Sequence, residues 1–324
     1  MGRAIMNDAT TGLGFTRDPV AIAGLAREIH VDLVRWAELY PSFDPNQFSG
    51  IALTSAVHLA DRSRFQCLPA ALVSAWILAF DDMVDQGRVP RADGHHVDRY
   101  KAIIRGETDG PSMPDDDLAR ALRDIRRRLA AHPVFTSLSP HWAWSFDQMV
   151  DAIVWQHEIA RTLDSGDEQS TLAWPSYDTL MGRAMHSVSV PFYLASCLIL
   201  YDDPSVAERL PVLIQIGEEC ARAIRLANDL RTWEREELEQ TINTVAVVGH
   251  EIRRENPGLD LKTCRDRAIQ FLKERELASI ARTHTLLTSS PAASSPIEAG
   301  IRRLVNQVTG FYALQDYRTW IERA

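Results

Sequence analysis

The sequence lacks the features that mark several common classes of protein. Cysteine is scarce, and Cys67, Cys197, Cys220 and Cys264 lie far apart, which excludes a C-x-x-C metal site and fits a reduced, cytoplasmic setting. No uncharged apolar run reaches the ~18 residues of a membrane-spanning helix. The first residues contain no apolar segment of the kind found in secretion signals. We therefore expect no membrane span and no leader.

Positive charge is also in deficit. Lysine and arginine total 35 against 44 aspartate and glutamate residues, which gives a net charge of −9. This balance argues against nucleic acid as the main partner. It leaves room for an anionic small ligand, because a binding site can be locally cationic within an acidic protein.

Alternating strand-like runs are scarce, whereas apolar residues recur at intervals of three and four. The pattern is clear in "DPVAIAGLAREIHVDLVRWAELY" and "LPVLIQIGEECARAIRLANDLRTWEREELE". The Gly-, Pro- and Ser-rich breaks between such segments are too short for domain linkers. The sequence predicts a single all-α domain of roughly ten or more helices, preceded by a disordered segment at 1–17. Within it, Pro191 predicts a kink or break in an apolar helix.

Three carboxylates follow the apolar run "LPAALVSAWILAF". Asp81 and Asp85 are four residues apart and share a helix face, while Asp82 lies about 100° around the axis. Neighbouring carboxylates repel each other and gain from a shared cation, and hard oxygen ligands suit Mg²⁺. The alternative is a solvated helix end, although negative charge there opposes the helix dipole.

A second polar stripe follows another apolar run. "NDLRTWEREE" places Asn228, Thr232 and Glu236 four residues apart on one helix face. An amide oxygen, a hydroxyl and a carboxylate form a plausible oxygen ligand set for a divalent cation. An exposed polar helix face is the alternative interpretation.

Together, "DDMVD" and "NDLRTWERE" resemble the two motifs of the class I terpene synthases, DDxx(D/E) and (N/D)D(L/I/V)x(S/T)xxxE. The resemblance implies a helical bundle around a central apolar pocket, with the catalytic domain at 18–324. It also implies three Mg²⁺ ions that hold the substrate diphosphate. Asp81 would bind two of them, supported by Asp82 or Asp85, and Asn228, Thr232 and Glu236 would bind the third.

The resemblance also implies arginines that contact diphosphate. Arg183 lies where the family has a diphosphate-sensing arginine, with pairing to a surface acid such as Asp178 as the alternative. His186 and Ser187 follow where the family places residues that assist ionisation, and His186 departs from the usual Asp or Thr. Its role stays open, and a structural histidine is the competing reading.

Two further arginines complete the implied set. Arg235 precedes Glu236 where relatives often carry Lys, and an exposed helix arginine is the alternative. Arg323 aligns with the arginine of a terminal Arg-Tyr pair, although Ala324 stands where the tyrosine is expected and Arg318 is a second candidate.

Aromatic side chains are expected along the pocket, because their faces stabilise a carbocation. Trp76 and Phe80 directly precede Asp81 and are predicted to contact substrate. Trp155, Phe192 and Tyr312 are further candidates. For each, ordinary core packing is the competing interpretation.

The implied reaction is Mg²⁺-dependent ionisation of a prenyl diphosphate, followed by cyclisation or rearrangement of the carbocation and release of diphosphate. "QDYRTW" and the segment 177–200 resemble bacterial kaurene-synthase-like diterpene cyclases, which favours a C20 substrate, either linear or a bicyclic diphosphate from a partner class II cyclase. The alternatives are a sesquiterpene synthase that uses farnesyl diphosphate, a trans-prenyltransferase, and a helical protein without enzymatic activity. A homodimer is compatible with the sequence.

Overall fold

The computed structural model describes residues 17–85, 95–107, 116–164, 174–239 and 241–315. Within these ranges every regular element is helical, which confirms the all-α class. Residues 1–16, most of the segment predicted to be disordered, lie outside the described residues, as do Arg318 and Arg323.

The described ranges contain twelve α-helices, and a 3₁₀ turn at Pro45–Gln47 precedes the second of them. The helices are α1 (Pro19–Ala37), α2 (Phe48–His58), α3 (Arg64–Asp85), α4 (His95–Arg105), α5 (Asp117–Leu129), α6 (Phe135–Asp164), α7 (Tyr177–Ser187), α8 (Val190–Tyr201), α9 (Val206–Leu238), α10 (Thr244–Glu255), α11 (Leu261–Ser289) and α12 (Pro296–Leu314).

Short polar side chains define where several helices begin. Asp18, Asp116 and Asp260 each accept a hydrogen bond from a backbone N–H in the first turn of the helix that follows, at 2.8, 2.6 and 2.8 Å. Such caps satisfy N–H groups that have no partner inside the helix. The same role falls to Asn243 at the start of α10, where it bonds to the N–H of Val245.

Helix α8 lies at the centre of the core. Every residue from Phe192 to Tyr201 is buried, as expected for a helix that is apolar on all sides. It packs against α3, α5, α6 and α9. The 33-residue helix α9, about 50 Å long at 1.5 Å per residue, contacts α7, α8, α10, α11 and α12 and so connects most of the fold.

The predicted break near Pro191 separates α7 from α8. Helix α7 ends at Ser187, and Ser189 adopts a left-handed conformation with φ of 64°. Pro191 then lies in the first turn of α8, where its missing N–H removes no hydrogen bond. The break therefore falls just before the proline, and residues 187–189 line the cavity described below.

Two apolar segments, Arg64–Asp85 and Tyr177–Tyr201, have the length and composition of a membrane span. In the structure, 61% and 83% of the most apolar 18-residue stretch of these two segments is buried. Buried core helices of soluble proteins can have the same length and composition.

Candidate active site

A cavity of about 580 Å³ lies between α3, α6, α9, α12 and the break that separates α7 from α8. Its polar wall carries residues from both motifs identified in the sequence. The polar lining residues are Asp81, Asp85, Gln156, His157, Arg161, Ser187, Ser189, Arg225, Asn228, Arg235, Glu236, Glu239 and Thr241. The cavity is thus built where the last turns of α3 and α9 present their polar groups.

The first motif divides between two environments. Asp81 and Asp85 line the cavity, in agreement with their shared helix face. Asp82 is not among the lining residues, and its carboxylate accepts a hydrogen bond from the Gln47 side chain at 2.9 Å. The geometry therefore favours Asp85 over Asp82 as the residue that supports Asp81.

The second motif contributes Asn228 and Glu236 to the same cavity. Thr232 lies between them and is buried, and its hydroxyl donates to the Asn228 carbonyl at 2.9 Å. The Asn243 side chain donates to Glu236 at 2.8 Å and to the Asp229 carbonyl at 3.1 Å. The residue that caps α10 therefore also orients a carboxylate of α9.

Arg225 and Asp229 form a buried ion pair next to Asn228. Arg225 lies three residues before Asn228, and Asp229 follows it directly. Two guanidinium nitrogens lie 3.1 and 3.0 Å from the two carboxylate oxygens. Burial alone lowers the pKa of Arg225, but Asp229, Glu236 and Asp81 raise that pKa above its ordinary value. Burial raises the pKa of Asp229 to about 6, and Arg225 limits the rise. Arg225 is thus a cation held close to both sets of carboxylates.

The arginines predicted from the sequence differ in position. Arg235 lines the cavity, and its guanidinium lies 3.5 Å from Glu239. Arg183 is exposed on α7 and lies over the Trp155 ring, 4.7 Å from its centroid, outside the cavity lining. His186, one turn later, is buried and lies edge-on to Trp144. Arg323 lies outside the described residues.

Most of the aromatic candidates pack in the core. Trp76 and Phe80 are fully buried and stacked, with centroids 5.3 Å apart, and the Trp76 indole donates to the Leu118 carbonyl. Neither lines the cavity, and Phe192 is likewise buried, stacked on Trp142. Tyr312, on α12, is the aromatic candidate that lines the cavity.

An apolar extension of about 130 Å³ continues from the cavity. Both share Ile77, Leu78, Val188, Ser189 and Tyr312. The further walls of the extension are Ile51, Thr54, Ser74, Val190, Tyr193, Ile224, Leu304 and Val308. A polar mouth therefore leads to an apolar end, the arrangement needed to hold a charged head group and a hydrocarbon chain.

The donor set of the cavity fits a hard divalent cation and an anion. Carboxylates and an amide oxygen from two helices supply the ligands that Mg²⁺ prefers. Among the described residues, no three His, Cys, Asp or Glu side chains are grouped closely enough to enclose one ion. Two buried donors of the wall, Arg235 Nε and Gln156 Nε2, have no hydrogen-bond partner in the described part of the chain. Such donors suit the oxygens of a bound phosphate group.

A groove of similar size, about 590 Å³, lies between α7, α9, α10 and α11. Its charged residues neutralise one another, since Glu219 pairs with Arg222 at 2.7 Å and with Arg282 at 3.2 Å. It contains none of the residues of the two motifs. The chemistry of the site is therefore assigned to the cavity at the ends of α3 and α9.

The sequence interpretation missed Asp229 and Asn243 as parts of the site. Asp229 follows Arg225 by four residues within an apolar helix, a spacing that permits a buried pair. Asn243 precedes the apolar start of α10, where an N-cap is expected. Both signals are local in the sequence. Only the structure shows that Asp229 holds Arg225 and that Asn243 holds Glu236.

Comparison with known structures agrees with this fold. The chain resembles 2-methylisoborneol synthase from Streptomyces coelicolor A3(2), solved in complex with Mg²⁺ and 2-fluoroneryl diphosphate, with a TM-score of 0.71 at 14% identity over 93% of both chains. It also resembles SVS_A2, a protein from ancestral sequence reconstruction, with a TM-score of 0.63 at 16% identity over 89% of this chain and 85% of that one. At such identities the likeness concerns the fold.

No curated protein sequence gives a significant match. The family model described as terpene synthase family 2, C-terminal metal binding, matches residues 73–276. That match spans more than half of the chain and includes every motif residue that lines the cavity. The chain therefore belongs to terpene synthase family 2, and it is a class I terpene synthase.

Proposed function

We propose that this class I terpene synthase ionises a C20 prenyl diphosphate, linear or bicyclic, and cyclises or rearranges the resulting carbocation. The observation that carries the proposal is a cavity with oxygen ligands from α3 and α9, the buried Arg225 and the half-buried Arg235 at one end, and apolar walls at the other. The products are a terpene and diphosphate, which makes the enzyme a carbon–oxygen lyase.

The metal ligands proposed are Asp81 and Asp85 on α3, with Asn228, Thr232 and Glu236 on α9. Three Mg²⁺ ions are proposed, and when bound they supply Lewis-acid neutralisation of the charge that develops on the leaving diphosphate. The protein's own part is to hold these oxygens in place. Asn243 does this for Glu236 through a 2.8 Å hydrogen bond.

Arg225 and Arg235 are proposed to contact the diphosphate directly. Both line the cavity, and the planar guanidinium group matches phosphate oxygens. Arg225 also donates to Ser187 at 3.3 Å, which connects α9 to the end of α7. Arg183 remains the sensor proposed on the family resemblance, and in that role its side chain would turn from Trp155 towards the cavity when substrate binds.

The apolar end is proposed to hold the hydrocarbon chain and exclude water from the cation. Tyr312 presents an aromatic ring at the junction between the cavity and its extension, where it can stabilise positive charge. The C20 assignment rests on the resemblance of 177–200 and "QDYRTW" to kaurene-synthase-like diterpene cyclases. A bicyclic C20 substrate would require a class II cyclisation upstream.

Farnesyl diphosphate is the second candidate substrate. The observation that favours it is the small size of the apolar extension, about 130 Å³, which suits a shorter chain.

The test is incubation with C10, C15 and C20 prenyl diphosphates and Mg²⁺, followed by gas chromatography of the extract. Competition between C15 and C20 substrates gives the ratio of kcat/KM, the quantity that measures discrimination. We expect a higher kcat/KM for a C20 substrate. A clear preference for farnesyl diphosphate would replace the C20 assignment by the sesquiterpene one. Longer diphosphates formed on addition of isopentenyl diphosphate would instead indicate a prenyltransferase.

A further inference from the structure

A buried polar group lies at the apolar end of the cavity, on two helices that carry neither motif. Tyr193 lines the apolar extension, and its hydroxyl lies 3.1 Å from Nδ1 of His58, the last residue of α2. His58 is fully buried, and Tyr193 is 6% exposed. Polar groups at this depth are seldom found without a structural or chemical role.

The surroundings of His58 keep its imidazole neutral. Burial, and to a smaller extent the charge of Arg303, lower the pKa of His58 to about 3. Its other nitrogen, Nε2, is buried and has no hydrogen-bond partner among the described residues. A neutral imidazole with its proton on Nε2 has an electron pair on Nδ1 that faces the Tyr193 hydroxyl at 3.1 Å, with the Cys197 thiol, a weaker donor, at 3.6 Å.

Gly300 of α12 makes room for this group. A Cβ atom at that position would lie 3.2 Å from His58 Nε2 and 2.4 Å from the hydroxyl of Tyr201. The absence of a side chain lets the histidine ring and the second tyrosine fit beneath the helix.

We propose that Tyr193 and His58 form a proton relay that takes up the proton lost by the final carbocation. The inference rests on the proposed function. It places the last step, deprotonation of the final carbocation, in the apolar extension, away from the proposed metal ligands. Tyr193, which contacts the hydrocarbon, is the catalytic residue, and His58 acts through it.

The step balances as follows. The C–H bond next to the cationic carbon breaks, and its electron pair becomes the new C=C bond. The proton passes to the Tyr193 oxygen while the hydroxyl proton of Tyr193 passes to His58 Nδ1. The carbocation is neutralised and His58 becomes an imidazolium.

A weak base is sufficient for this step. A carbocation is a far stronger acid than an imidazolium, so transfer to His58 is downhill although burial disfavours the charged ring. The same burial favours loss of the proton from the imidazolium once the product has left: His58 Nδ1 returns a proton to the Tyr193 oxygen, and the Tyr193 hydroxyl passes its proton to water that enters the extension, which resets the site.

The relay is tested by the Tyr193→Phe variant, which keeps the ring and removes the oxygen. Products are measured per diphosphate released, so that a change in rate does not enter the comparison. We expect the share of the main hydrocarbon to fall at least fivefold, with a matching rise in alcohols and in alkenes from earlier deprotonation. An unchanged product ratio would overturn the relay.

Tyr201→Phe is the matched control. Tyr201 lies on the same helix, is buried, and donates to the Pro296 carbonyl at 3.1 Å, but it does not line the extension. Its variant should keep the wild-type product ratio. An equal shift in both variants would show that the change follows loss of a buried hydroxyl and would overturn the assignment to Tyr193.

His58→Asn separates proton uptake from positioning. The asparagine oxygen stands near the place of Nδ1 and accepts the hydrogen bond, but it does not take up a proton. We expect the same product shift as in Tyr193→Phe, with the fold checked by circular dichroism. A wild-type ratio in this variant would remove His58 from the relay. If the wild-type enzyme releases no diphosphate from any C15 or C20 substrate, the proposed function itself falls and the relay with it.

Discussion

At the scale of single residues, two of the arginines proposed to act on the diphosphate, Arg225 and Arg183, have different surroundings. Arg225 is buried, is held by two contacts to Asp229, and donates to Ser187. Arg183 is exposed and rests on Trp155. A buried charged group contributes to folding through its hydrogen bonds, whereas an exposed one contributes little.

Replacing each arginine by lysine distinguishes folding from catalysis, because lysine keeps the charge and loses the planar fork. We expect Arg225→Lys to lower the free energy of unfolding by about 1–3 kcal/mol, measured by denaturant titration, and to lower turnover. Arg183→Lys should leave stability unchanged and reduce turnover at least tenfold, which corresponds to about 1.4 kcal/mol in the barrier. Wild-type turnover in Arg183→Lys would assign the sensor role to Arg225.

The ligands proposed on α9 form one functional unit. We expect Asn228→Ala and Glu236→Ala each to reduce kcat/KM at least ~100-fold, because either change leaves an ion with an incomplete set of ligands. The double variant should be little worse than either single one, since residues that act together are not additive.

Glu237→Ala is the control for this comparison. Glu237 neighbours Glu236, but its side chain is 65% exposed and lies 3.6 Å from Arg265. Its loss should leave steady-state diphosphate release unchanged. Full activity in both ligand variants, or losses that multiply in the double variant, would contradict a shared metal site.

At the scale of the helices, the break between α7 and α8 is the element that brings Ser187, Val188 and Ser189 into the cavity wall. Ser189 has φ of 64° there, and its hydroxyl donates to the Ser187 carbonyl at 3.1 Å. The left-handed conformation costs an ordinary residue about 1–2 kcal/mol. The conformation of Ser189 therefore lowers the stability of the fold while it shapes the cavity wall.

Two substitutions measure that cost. Ser189→Gly should change the free energy of unfolding by less than about 1 kcal/mol, because relief of strain is offset by the greater freedom of glycine in the unfolded chain. Ser189→Val should lower it by about 2 kcal/mol, since a branched side chain fits this conformation poorly. Thermal unfolding compares the two, and equal stabilities would show that the break carries no strain.

The helices also show how far the sequence alone reaches. Residue spacing correctly placed Asp81 and Asp85 on one face, and Asn228 with Glu236 on another, because helical periodicity is a local property. Spacing does not say what a face packs against. Trp76 and Phe80, next to Asp81 in the sequence, point into the core, and Asp82 turns to Gln47. The buried histidine and tyrosine of the apolar end come from α2 and α8, which no sequence pattern connects.

At the scale of the whole molecule, the cavity joins helices that are distant in the sequence. Its walls come from α3, α6, α9, α12 and the break before α8, and the proposed metal ligands lie on two of these helices. A ligand that bridges α3 and α9 binds only the folded chain. By linkage it stabilises that state by about 2.7 kcal/mol at a free concentration 100 times its Kd.

This linkage predicts how the cation and diphosphate act together. Mg²⁺ with inorganic diphosphate should raise the thermal midpoint by about 3–6 °C, because each completes the other's binding site between the two helices. Either one alone should raise it by much less. EDTA should abolish both the rise and turnover, and restored Mg²⁺ should return them. The variant that carries Asn228→Ala and Glu236→Ala should lose the rise while keeping its own midpoint near that of the wild type. A full rise with diphosphate in excess EDTA, or full activity under the same conditions, would contradict metal-mediated binding at the ends of α3 and α9.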